Sequence, residues 1–355
     1  LEFLQSPCQL TLSIDAMGGD NAPDMVIEGI QVALTMQPDL QFLLFGDEAK
    51  LAPCLERYPQ AAKACVVHHT ADVITNEAKV AHALRSGRNS SMRLAIDAVG
   101  KDEAHGIVSA GNTGALMAMA KFVLKTIPGI NRPAISGYFP TLRGRSIMLD
   151  LGANVECDAK NLVQFAVMGE VFARIALNVK NPSVGILNVG VEDLKGHQSV
   201  KDAANILQTT DLPIKFHGFV EGDDIAKGTV DVIVTDGFTG NIALKTAEGT
   251  ANMFGSFLKT TLTSSPLAML GALFAKSALN KFKERVDPRS YNGAMMLGLN
   301  GVCVKSHGGT DAIGFANAIN VTVSLINNSI NEAIKEDYAR VSFDQAETDQ
   351  QVDPK

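Results

Sequence analysis

Two short glycine-rich stretches contain the residues best suited to chemistry in this sequence. The first glycine turn is Ser109-Ala-Gly-Asn-Thr-Gly114, and the second, Thr235-Asp-Gly-Phe-Thr-Gly240, repeats its pattern of a hydroxyl residue, two glycines and a threonine. Glycine lets the backbone turn tightly and approach a ligand, while Asn112 and Thr113 can cap the N–H groups of a following helix. Because helix N-termini attract negative charge, each turn predicts an anion site. Two such turns favour a phosphate-handling protein, and the alternative is that one good strand-to-helix turn simply occurs twice.

The segments around both turns predict strands that enter them and helices that leave them. The apolar run Gly106–Ser109 precedes the first turn, and the helix-prone run Ala115–Ala120 follows it. The runs Asp231–Val234 and Ile242–Lys245 flank the second turn in the same way. The alternation continues along the chain with short connections. It predicts one continuous, doubly wound and mainly parallel α/β sheet.

Several other segments have patterns that predict their structure. We expect an antiparallel strand pair at Ile135–Phe139 and Ser146–Asp150, single helices at Ala159–Leu177 and Asp311–Glu336, and a polar loop at Ala71–Asn89. The basic residues of that loop are Lys79, Arg85 and Arg88. They either face an acidic partner or form an ordinary solvated surface.

The composition is typical of a globular protein with a large core. Of the 355 residues, 46% are hydrophobic and 19% are charged, and no linker-like stretch divides them, so we expect a single α/β domain over residues 10–340. The net charge of -7 argues against a nucleic-acid partner, because duplex binding depends on many phosphate-neutralising Lys and Arg residues. The five cysteines show no metal-site or disulfide spacing, which favours a reduced, cytoplasmic setting.

A helical segment late in the chain has more apolar residues than its own two helices can cover. Residues from about 250 to 285 are predicted to form a protruding helical hairpin within the α/β domain. From Lys259 to Val286 the sequence has five basic residues and one acidic residue. This combination predicts contact with a membrane surface, or alternatively a homodimer interface, and both can hold at opposite faces. No run reaches the ~18 apolar residues of a spanning helix, and we expect the polar tail 341–355 to be disordered.

Polar side chains at the predicted strand ends are the candidate site residues, because ligands of such sheets bind outside the carboxyl ends of strands. The chain has no G-x-S-x-G, Walker A or H-E-x-x-H motif, which disfavours covalent and zinc-dependent hydrolysis. Each candidate also has an ordinary interpretation as a turn cap, a solvated lysine or a turn histidine. The residues alone therefore support only an anion-binding α/β enzyme. The candidates are Asp15, Gly18, Gly19, Asp20, Asn112, Thr113, Asn154, Asn188, Lys195, Asp236, Thr239, Asn241 and His307.

Six longer strings are similar to one known family. They are IDAMGGDNAP (Ile14 to Pro23), SAGNTGALMA (Ser109 to Ala118), LDLGAN (Leu149 to Asn154), ILNVG with DLKG (Ile186 to Gly196), EGDDIAKGTVDVIVTDGFTGN (Glu221 to Asn241) and HGGTDAIGFANAI (His307 to Ile319). On these strings the chain closely resembles the PlsX family of bacterial phosphate acyltransferases, from Leu12 to about Ala333. The chain departs from the family pattern at Phe219, where Asn is expected, and at Val191, where Glu is frequent.

The resemblance implies transfer of a fatty acyl group from acyl-(acyl carrier protein) to inorganic phosphate, which forms acyl phosphate for phospholipid synthesis. It also implies the fold of the isocitrate and isopropylmalate dehydrogenases, a homodimer, and a cytoplasmic location at the inner face of the cell membrane. We expect the protein to contact the membrane peripherally, either directly or through a membrane-bound glycerol-3-phosphate acyltransferase. We expect neither a cofactor nor a metal ion.

Phosphate is itself the nucleophile in such a reaction, so the protein needs only to hold the anion, align it and stabilise the oxyanion. The catalytic candidates are Lys195, as a positive charge near the oxyanion, His307, which assists orientation, and Asp236. We assign phosphate binding to Ser109, Gly111, Asn112, Thr113, Gly114, Gly237, Thr239, Gly240 and Asn241. The remaining expected site residues are Asp15, Gly18, Gly19, Asp20, Asn154 and Asn188.

Three other functions fit parts of the sequence. A phosphotransacetylase-like enzyme would use acyl-coenzyme A, with the same chemistry on a different carrier. A metal- and NAD-dependent decarboxylating dehydrogenase would need several carboxylates around a divalent metal and an arginine cluster, and neither forms a compact motif here. A membrane-bound scaffold without turnover would require that neither glycine turn binds phosphate.

Overall fold

The computed structural model describes residues 10–209, 212 and 214–340, and its centre is a sheet of eleven strands. Across the sheet the strand order is β3-β2-β1-β4-β11-β10-β5-β6-β9-β7-β8, so the prediction of one continuous sheet is confirmed. The strands are β1 (Thr11–Asp15), β2 (Gln41–Gly46), β3 (Cys65–His69), β4 (Gly106–Ser109), β5 (Ala134–Thr141), β6 (Gly144–Leu149), β7 (Ser183–Leu187), β8 (Lys215–Val220), β9 (Val232–Val234), β10 (Ala294–Leu297) and β11 (Val302–Lys305).

Helices follow most of the strands. In addition, a 3₁₀ turn spans Pro288–Tyr291. The helices are α1 (Asp24–Met36), α2 (Glu48–Arg57), α3 (Pro59–Ala64), α4 (Val80–Ser86), α5 (Ser91–Gly100), α6 (Thr113–Leu124), α7 (Ala159–Ala176), α8 (Gln198–Thr209), α9 (Gly222–Lys227), α10 (Gly237–Leu262), α11 (Pro266–Phe274), α12 (Lys276–Val286), α13 (Ala312–Asn327) and α14 (Ile330–Ala339).

Apolar clusters cover both faces of the sheet. Successive residues of a strand point to opposite faces, and in β4 the buried Ile107 packs with α5 and α6, whereas the next residue, Val108, packs with α1 and α13. Met296 and Leu297 of β10 divide between the same two clusters. The doubly wound architecture predicted from the sequence is therefore confirmed.

The sheet consists of two parallel blocks that run in opposite directions. Strands β3, β2, β1, β4 and β11 form one block, and β6, β9, β7 and β8 form the other. Between them, β10 pairs antiparallel with β11 and with β5, and β5 pairs antiparallel with β6 as predicted. The strands of one block therefore have their carboxyl ends at one edge of the sheet, and those of the other block have them at the opposite edge. The candidate residues predicted at strand ends are therefore divided between the two blocks.

Some helix predictions needed correction. The predicted loop Ala71–Asn89 contains α4, and the predicted helix Asp311–Glu336 is divided into α13 and α14. Ser329 causes this division because its φ of 49° lies in the left-handed region, which does not continue a helix. The helix predicted at Ala159–Leu177 is confirmed as α7, whose residues Asn161 to Ala173 are buried. The tail 341–355, predicted to be disordered, lies outside the described residues.

In the helical arm, defined here as residues 250–285, most of the described side chains are exposed. Within α10 the buried residues are Gly237 and Gly240, both at its start, and α11 buries none of its residues. Side chains such as Phe257, Leu267 and Phe274 are largely exposed, with Phe274 83% accessible. Among the described residues, no helix is long and apolar enough to cross a membrane.

Candidate active site

A buried carboxylate lies where β1 ends, next to the first glycine turn. Asp15 Oδ1 accepts a hydrogen bond from Ser91 Oγ at 2.6 Å, and Asp15 Oδ2 accepts one from Ser109 Oγ at 2.7 Å. Ser91 begins α5 and Ser109 ends β4, so three elements converge on this carboxylate. Burial raises the pKa of Asp15, while the two hydroxyl hydrogen bonds and the positive charge of Lys305 oppose that rise.

Lys305 brings a buried cation to the same place. It ends β11 and stands opposite Ser109 in the register of the parallel pair β11 and β4. Its ammonium donates to the Ala110 carbonyl oxygen at 3.3 Å and to the Ser306 carbonyl oxygen. Burial lowers the pKa of Lys305 to about 8, although Asp15 and Asp20 act in the opposite direction. Asp15, Ser91, Ser109 and Lys305 together are called the Asp15 cluster below.

The first glycine turn leaves backbone donors open at the start of α6. Asn112 caps this helix as predicted, because its Oδ1 accepts the Ala115 N–H at 2.9 Å. The Asn112 side-chain NH₂ group donates to the carbonyl oxygens of Asn76 at 2.7 Å and Ala78 at 3.3 Å, so it holds a neighbouring loop. Thr113 and Gly114 are exposed, and their N–H groups have no acceptor in the described part of the chain. Two helix N-terminal amides therefore remain available to an anion.

The second glycine turn is filled by the protein itself. Asp236 caps α10 by accepting the Thr239 N–H and the Thr239 hydroxyl, each at 2.8 Å. The Gly237 N–H donates to the Asn154 carbonyl oxygen at 2.7 Å. A Cβ atom on Gly240 would lie 2.0 Å from the Asp150 carbonyl oxygen. Close packing of the loop 150–154 thus accounts for both glycines. For this turn, packing within the protein explains the glycine pattern without a bound anion.

Asp150 organises that packed loop from within. Its buried carboxylate accepts N–H hydrogen bonds from Ile135, Gly152, Ala153 and Asn154 at 2.7 to 3.1 Å. Burial raises the pKa of Asp150, and these hydrogen bonds oppose the rise. Two predicted site residues also serve the loop: Asn154 Nδ2 donates to Pro133 and to Asp150, and Asn241 Nδ2 donates to the Leu151 carbonyl oxygen.

The loop after β1 packs closely against the first glycine turn. A Cβ atom on Gly18 would lie 2.5 Å from Asp15 Oδ2 and 2.7 Å from the Gly111 nitrogen, so this position needs glycine. Gly19 has a φ of +107°, which side chains rarely tolerate. The Asp20 N–H donates to the Gly308 carbonyl oxygen at 2.9 Å, which ties this loop to the loop after β11. The sequence prediction that these residues lie together is consistent with these contacts.

His307 lies in the loop after β11, two residues beyond Lys305. Its backbone N–H donates to Asn292 Oδ1 at 2.8 Å, and its Nδ1 atom accepts the Gly309 N–H at 3.1 Å. These bonds leave the Nε2 side of the ring as the side not used within this loop. The next residue, Gly308, accepts the Asp20 N–H, so the loop of His307 lies beside the Gly18–Asp20 loop.

Lys195 and Asn188 lie in the other block, after β7. The Lys195 ammonium donates to Glu192 at 2.9 Å, and the lysine side chain is about half exposed, at 52%. Asn188 Nδ2 donates to the carbonyl oxygens of Gly190 at 3.0 Å and Lys195 at 3.1 Å. The hydrogen bonds of Lys195 to described residues stay within its own loop. The structure therefore does not connect this loop by hydrogen bonds to the Asp15 cluster.

Helix α10 links the two halves of the candidate site. It begins at the second glycine turn, yet the ammonium of its Lys245 lowers the pKa of Lys305, so the two charges lie within electrostatic range. Met117 of α6 and Leu244 of α10 also pack against one apolar cluster, which contains Phe139 and Leu151. Helices α6 and α10 therefore contact a common apolar region beyond their first turns.

Three buried polar residues of the site are absent from the sequence-based candidates. They are Ser91, Asp150 and Lys305. Lys305 had a recognisable signal, since a lysine that ends an apolar strand must find partners for its charge. Ser91 and Asp150 act through residues that are distant along the chain, and nothing local marks them. In the described part of the chain, no group of three His, Cys, Asp or Glu side chains could hold a metal ion.

Comparison with known proteins identifies the family. The model of a family described as fatty acid synthesis protein matches residues 10–333. The phosphate acyltransferase of Rhodospirillum centenum is 61% identical over 330 residues, which cover 93% of this chain and 93% of the relative. That of Paramagnetospirillum magneticum is 59% identical over 332 residues, or 94% and 95% of the two chains. This chain belongs to the phosphate acyltransferase family. The family member is accordingly an acyltransferase of fatty-acid and phospholipid synthesis.

Solved structures share the fold of this family member. The match to a phosphotransacetylase from Streptococcus pyogenes spans 90% of this chain and 94% of that chain, at a TM-score of 0.59 and 16% identity. A 4-hydroxythreonine-4-phosphate dehydrogenase from Klebsiella pneumoniae covers 90% of this chain with all of its own, at a TM-score of 0.52 and 12% identity. These likenesses confirm the expected dehydrogenase-like fold.

Proposed function

We propose that this enzyme transfers a fatty acyl group from acyl-(acyl carrier protein) to inorganic phosphate, forming acyl phosphate for phospholipid synthesis. The observation that carries the proposal is the pair of open N–H groups of Thr113 and Gly114 at the start of α6, in a chain whose relatives are named phosphate acyltransferases. Backbone amides at a helix N-terminus bind phosphate without specialised side chains. The residues 10–340 form the catalytic domain, and the reaction needs neither cofactor nor metal.

In the proposed mechanism the bound phosphate attacks directly. One phosphate oxygen forms a bond to the thioester carbonyl carbon, and the carbonyl oxygen becomes an oxyanion. The C–S bond then breaks, the electron pair leaves on sulfur, and the carrier thiolate takes a proton from solvent. Fixed donors lower the barrier because they hold the nucleophile in line and need no reorganisation. Lys195 supplies positive charge near the oxyanion, and His307 assists orientation through its free Nε2 side.

Within this proposal, part of the predicted binding set has another role. Asn112 and Asp236 act as helix caps, and Asn154 and Asn241 hold the loop 150–154. Of the two glycine turns, the first is therefore the better phosphate site, because its amides are open while Gly237 already donates to Asn154. The second turn fixes the start of α10, and later residues of that helix pack on the apolar cluster that α6 also contacts.

The deciding experiment supplies the purified protein with a long-chain acyl carrier protein and inorganic phosphate. We expect acyl phosphate, trapped as its hydroxamate, and free carrier in equal amounts. A parallel assay with acyl-coenzyme A tests the second candidate, which the fold shared with phosphotransacetylases favours. Faster turnover of the coenzyme A thioester would select that candidate, and no acyl phosphate from either thioester would contradict both.

We further propose that α4 and its flanks bind the acidic carrier. From Ala78 to Ile96 the chain has four basic residues and no acidic residue, and α4 packs against α6. Lys79, Arg85 and Arg88 are exposed there. Such a surface attracts an acidic protein and brings its thioester to the start of α6.

Charge reversal tests this docking surface. The double replacement Arg85→Glu and Arg88→Glu should raise the KM for the acyl carrier protein about 10-fold or more, because the surface then repels the carrier. The KM for acyl-coenzyme A should stay within twofold, and Lys101→Glu on the exposed turn after α5 is the matched control. An equal rise for both thioesters would contradict docking at this surface.

We also propose that the enzyme is a homodimer and that the helical arm touches the inner face of the cell membrane, or a membrane-bound glycerol-3-phosphate acyltransferase there. The exposed apolar residues of the arm and the excess of basic residues in the sequence from Lys259 to Val286 support this proposal. Apolar and basic side chains together suit a surface of anionic lipid.

A further inference from the structure

Lys305 lies at the base of the first glycine turn. Its ammonium donates to the carbonyl oxygen of Ala110, the residue before Gly111, and to the carbonyl oxygen of Ser306. In the strand register Lys305 stands opposite Ser109, whose Oγ accepts the Gly111 N–H at 3.1 Å. The ammonium thus binds a residue that precedes Thr113 and Gly114, the residues with open amides, by one turn of chain.

The protein leaves this buried cation incompletely compensated. Lys305 is only 9% exposed, and burying an ammonium is costly unless a negative group faces it. Among the described residues, no carboxylate lies within 4.0 Å of its ammonium, and both Asp15 oxygens already accept hydroxyl hydrogen bonds. An ammonium has three N–H donors, and the described residues accept from two of them. One donor and part of the charge remain for a ligand.

We propose that Lys305 is the cationic phosphate-binding residue of this enzyme, which donates its third N–H to a phosphate oxygen while Thr113 and Gly114 donate to others. This assignment rests on the proposed function. The charge of Asp15 favours the protonated ammonium, and the carbonyl oxygens of Ala110 and Ser306 hold it in place. Lys305 stays protonated throughout: the phosphate oxygen forms its bond to the carbonyl carbon, the C–S bond breaks, and the pair leaves on sulfur. Charge-assisted hydrogen bonds of this kind are the stronger ones in proteins.

The charge of Lys305 gives the proposal a pH signature. Burial lowers the pKa of Lys305 to about 8. The charged groups that act on it are Asp15 from β1, Asp20 from the following loop and Lys245 from α10. Phosphate and sulfate binding should therefore weaken as pH rises from 7 to 9.5. Sulfate keeps its charge over this range, so weaker sulfate binding would reflect a change in the charge of the protein and not of the ligand.

The test compares two variants with the wild type. Lys305→Met keeps the length of the side chain and removes the charge, and we expect kcat/KM for phosphate to fall about 10²-fold, mainly through KM. Lys305→Arg stays charged at every working pH, so its loss should be smaller and the alkaline decline in phosphate binding should move above pH 9.5. Lys101→Met on the exposed turn after α5 should keep wild-type kinetics.

Each outcome decides the assignment. A folded Lys305→Met variant with wild-type KM for phosphate would overturn it. If Lys305→Met does not fold, titration of the wild type with sulfate at pH 7 and 9.5 replaces it, and equal affinity at both pH values would overturn the assignment. A wild type that forms no acyl phosphate but binds sulfate with the expected pH dependence would contradict the proposed function and leave the anion site standing.

Discussion

At the scale of single residues, the site depends on which polar groups already have partners. Asn112 and Asp236 look equivalent in sequence, and both cap helices in the structure. Asp15 and Lys305 lie 290 positions apart, and their charges influence each other in the same buried region. Among the described residues, the groups that keep a donor or ring face for a ligand are the Thr113 and Gly114 amides, Lys305 and His307, whereas Lys195 is paired with Glu192.

The role of Lys195 gives the first residue-scale prediction. Lys195→Ala should lower the rate of acyl-phosphate formation by about 10²-fold if its charge stabilises the oxyanion. The measurement is steady-state turnover of the purified variant, with the neighbouring Glu192→Gln variant as control because it removes only the partner of Lys195 in this structure. Near-normal turnover in Lys195→Ala would remove this lysine from the mechanism.

At the scale of elements, helix starts and helix contacts carry the architecture of the site. Helix α10 begins against the loop 150–154, and the same helix runs outward into the exposed arm. Helices α7 and α14 pack together through Arg174, which is paired with both Glu170 and Asp337. Each contact makes a prediction about stability.

Two glycines of α10 should respond oppositely to alanine. At Gly240 a Cβ atom would meet the Asp150 backbone oxygen at 2.0 Å, so Gly240→Ala should destabilise the fold by about 2 kcal/mol or more. At Gly249, in the same helix, a Cβ atom meets nothing within 4 Å, so Gly249→Ala should be neutral or stabilise by up to about 1 kcal/mol. Urea denaturation measures both, and equal effects would contradict the packing described for the second turn.

Glu170 should make the stability of the α7 and α14 contact depend on pH. Burial raises the pKa of Glu170 to about 7, while Arg174 opposes the rise. Because the folded state holds this proton more tightly than the unfolded state, its contribution is complete below pH 4.5 and is lost as pH rises through 7. Raising the pH from 4.5 to 8 should therefore lower the free energy of unfolding of the wild type by up to about 3 kcal/mol more than that of Glu170→Gln.

The measurement for Glu170 is the free energy of unfolding at several pH values. The exposed Glu336→Gln variant of α14 serves as control and should follow the wild type. Parallel curves for wild type and Glu170→Gln would show that Arg174 keeps Glu170 charged throughout.

At the scale of the whole molecule, the reversal between the two parallel blocks divides the buried polar residues into two groups. The strands of the first block bring Asp15, Ser109 and Lys305 together, and those of the second bring Asp150 and Thr235 together. Helices α6 and α10 then connect the two groups through one apolar cluster. In the described part of the chain, helix α11 of the helical arm buries none of its residues.

Charged replacements test what the arm contacts. Leu270→Glu with Phe274→Glu should weaken binding to vesicles of anionic lipid at least 10-fold, because both apolar area and positive charge are lost. Met36→Glu, at an exposed apolar position on α1, is the matched control. Vesicle co-sedimentation and light scattering are measured together. Loss of dimerisation with unchanged vesicle binding would show that the arm is a subunit interface instead.

The sequence by itself determined the elements and the family. Spacing of apolar residues and turn residues predicted both helix starts, the antiparallel pair β5 and β6 and helix α7, because these depend on dihedral preferences and contacts within a few residues. The motif strings identified the acyltransferase family, which the relatives confirm. The division of the last helix at Ser329 and the helix α4 within 71–89 were not predicted, since tertiary contacts override weak local preferences there.

Only the tertiary structure distinguished the two glycine turns. Their sequences are nearly equivalent, and local rules give both a capped helix start. Whether the amides stay open depends on a loop distant along the chain: residues 150–154 fill the second turn, while the first keeps its Thr113 and Gly114 donors. The same holds for Lys305, whose importance comes from burial beside Asp15 and Ala110. Burial and long-range partners are properties of the packed fold, so the local sequence could nominate this region but could not choose between its two halves.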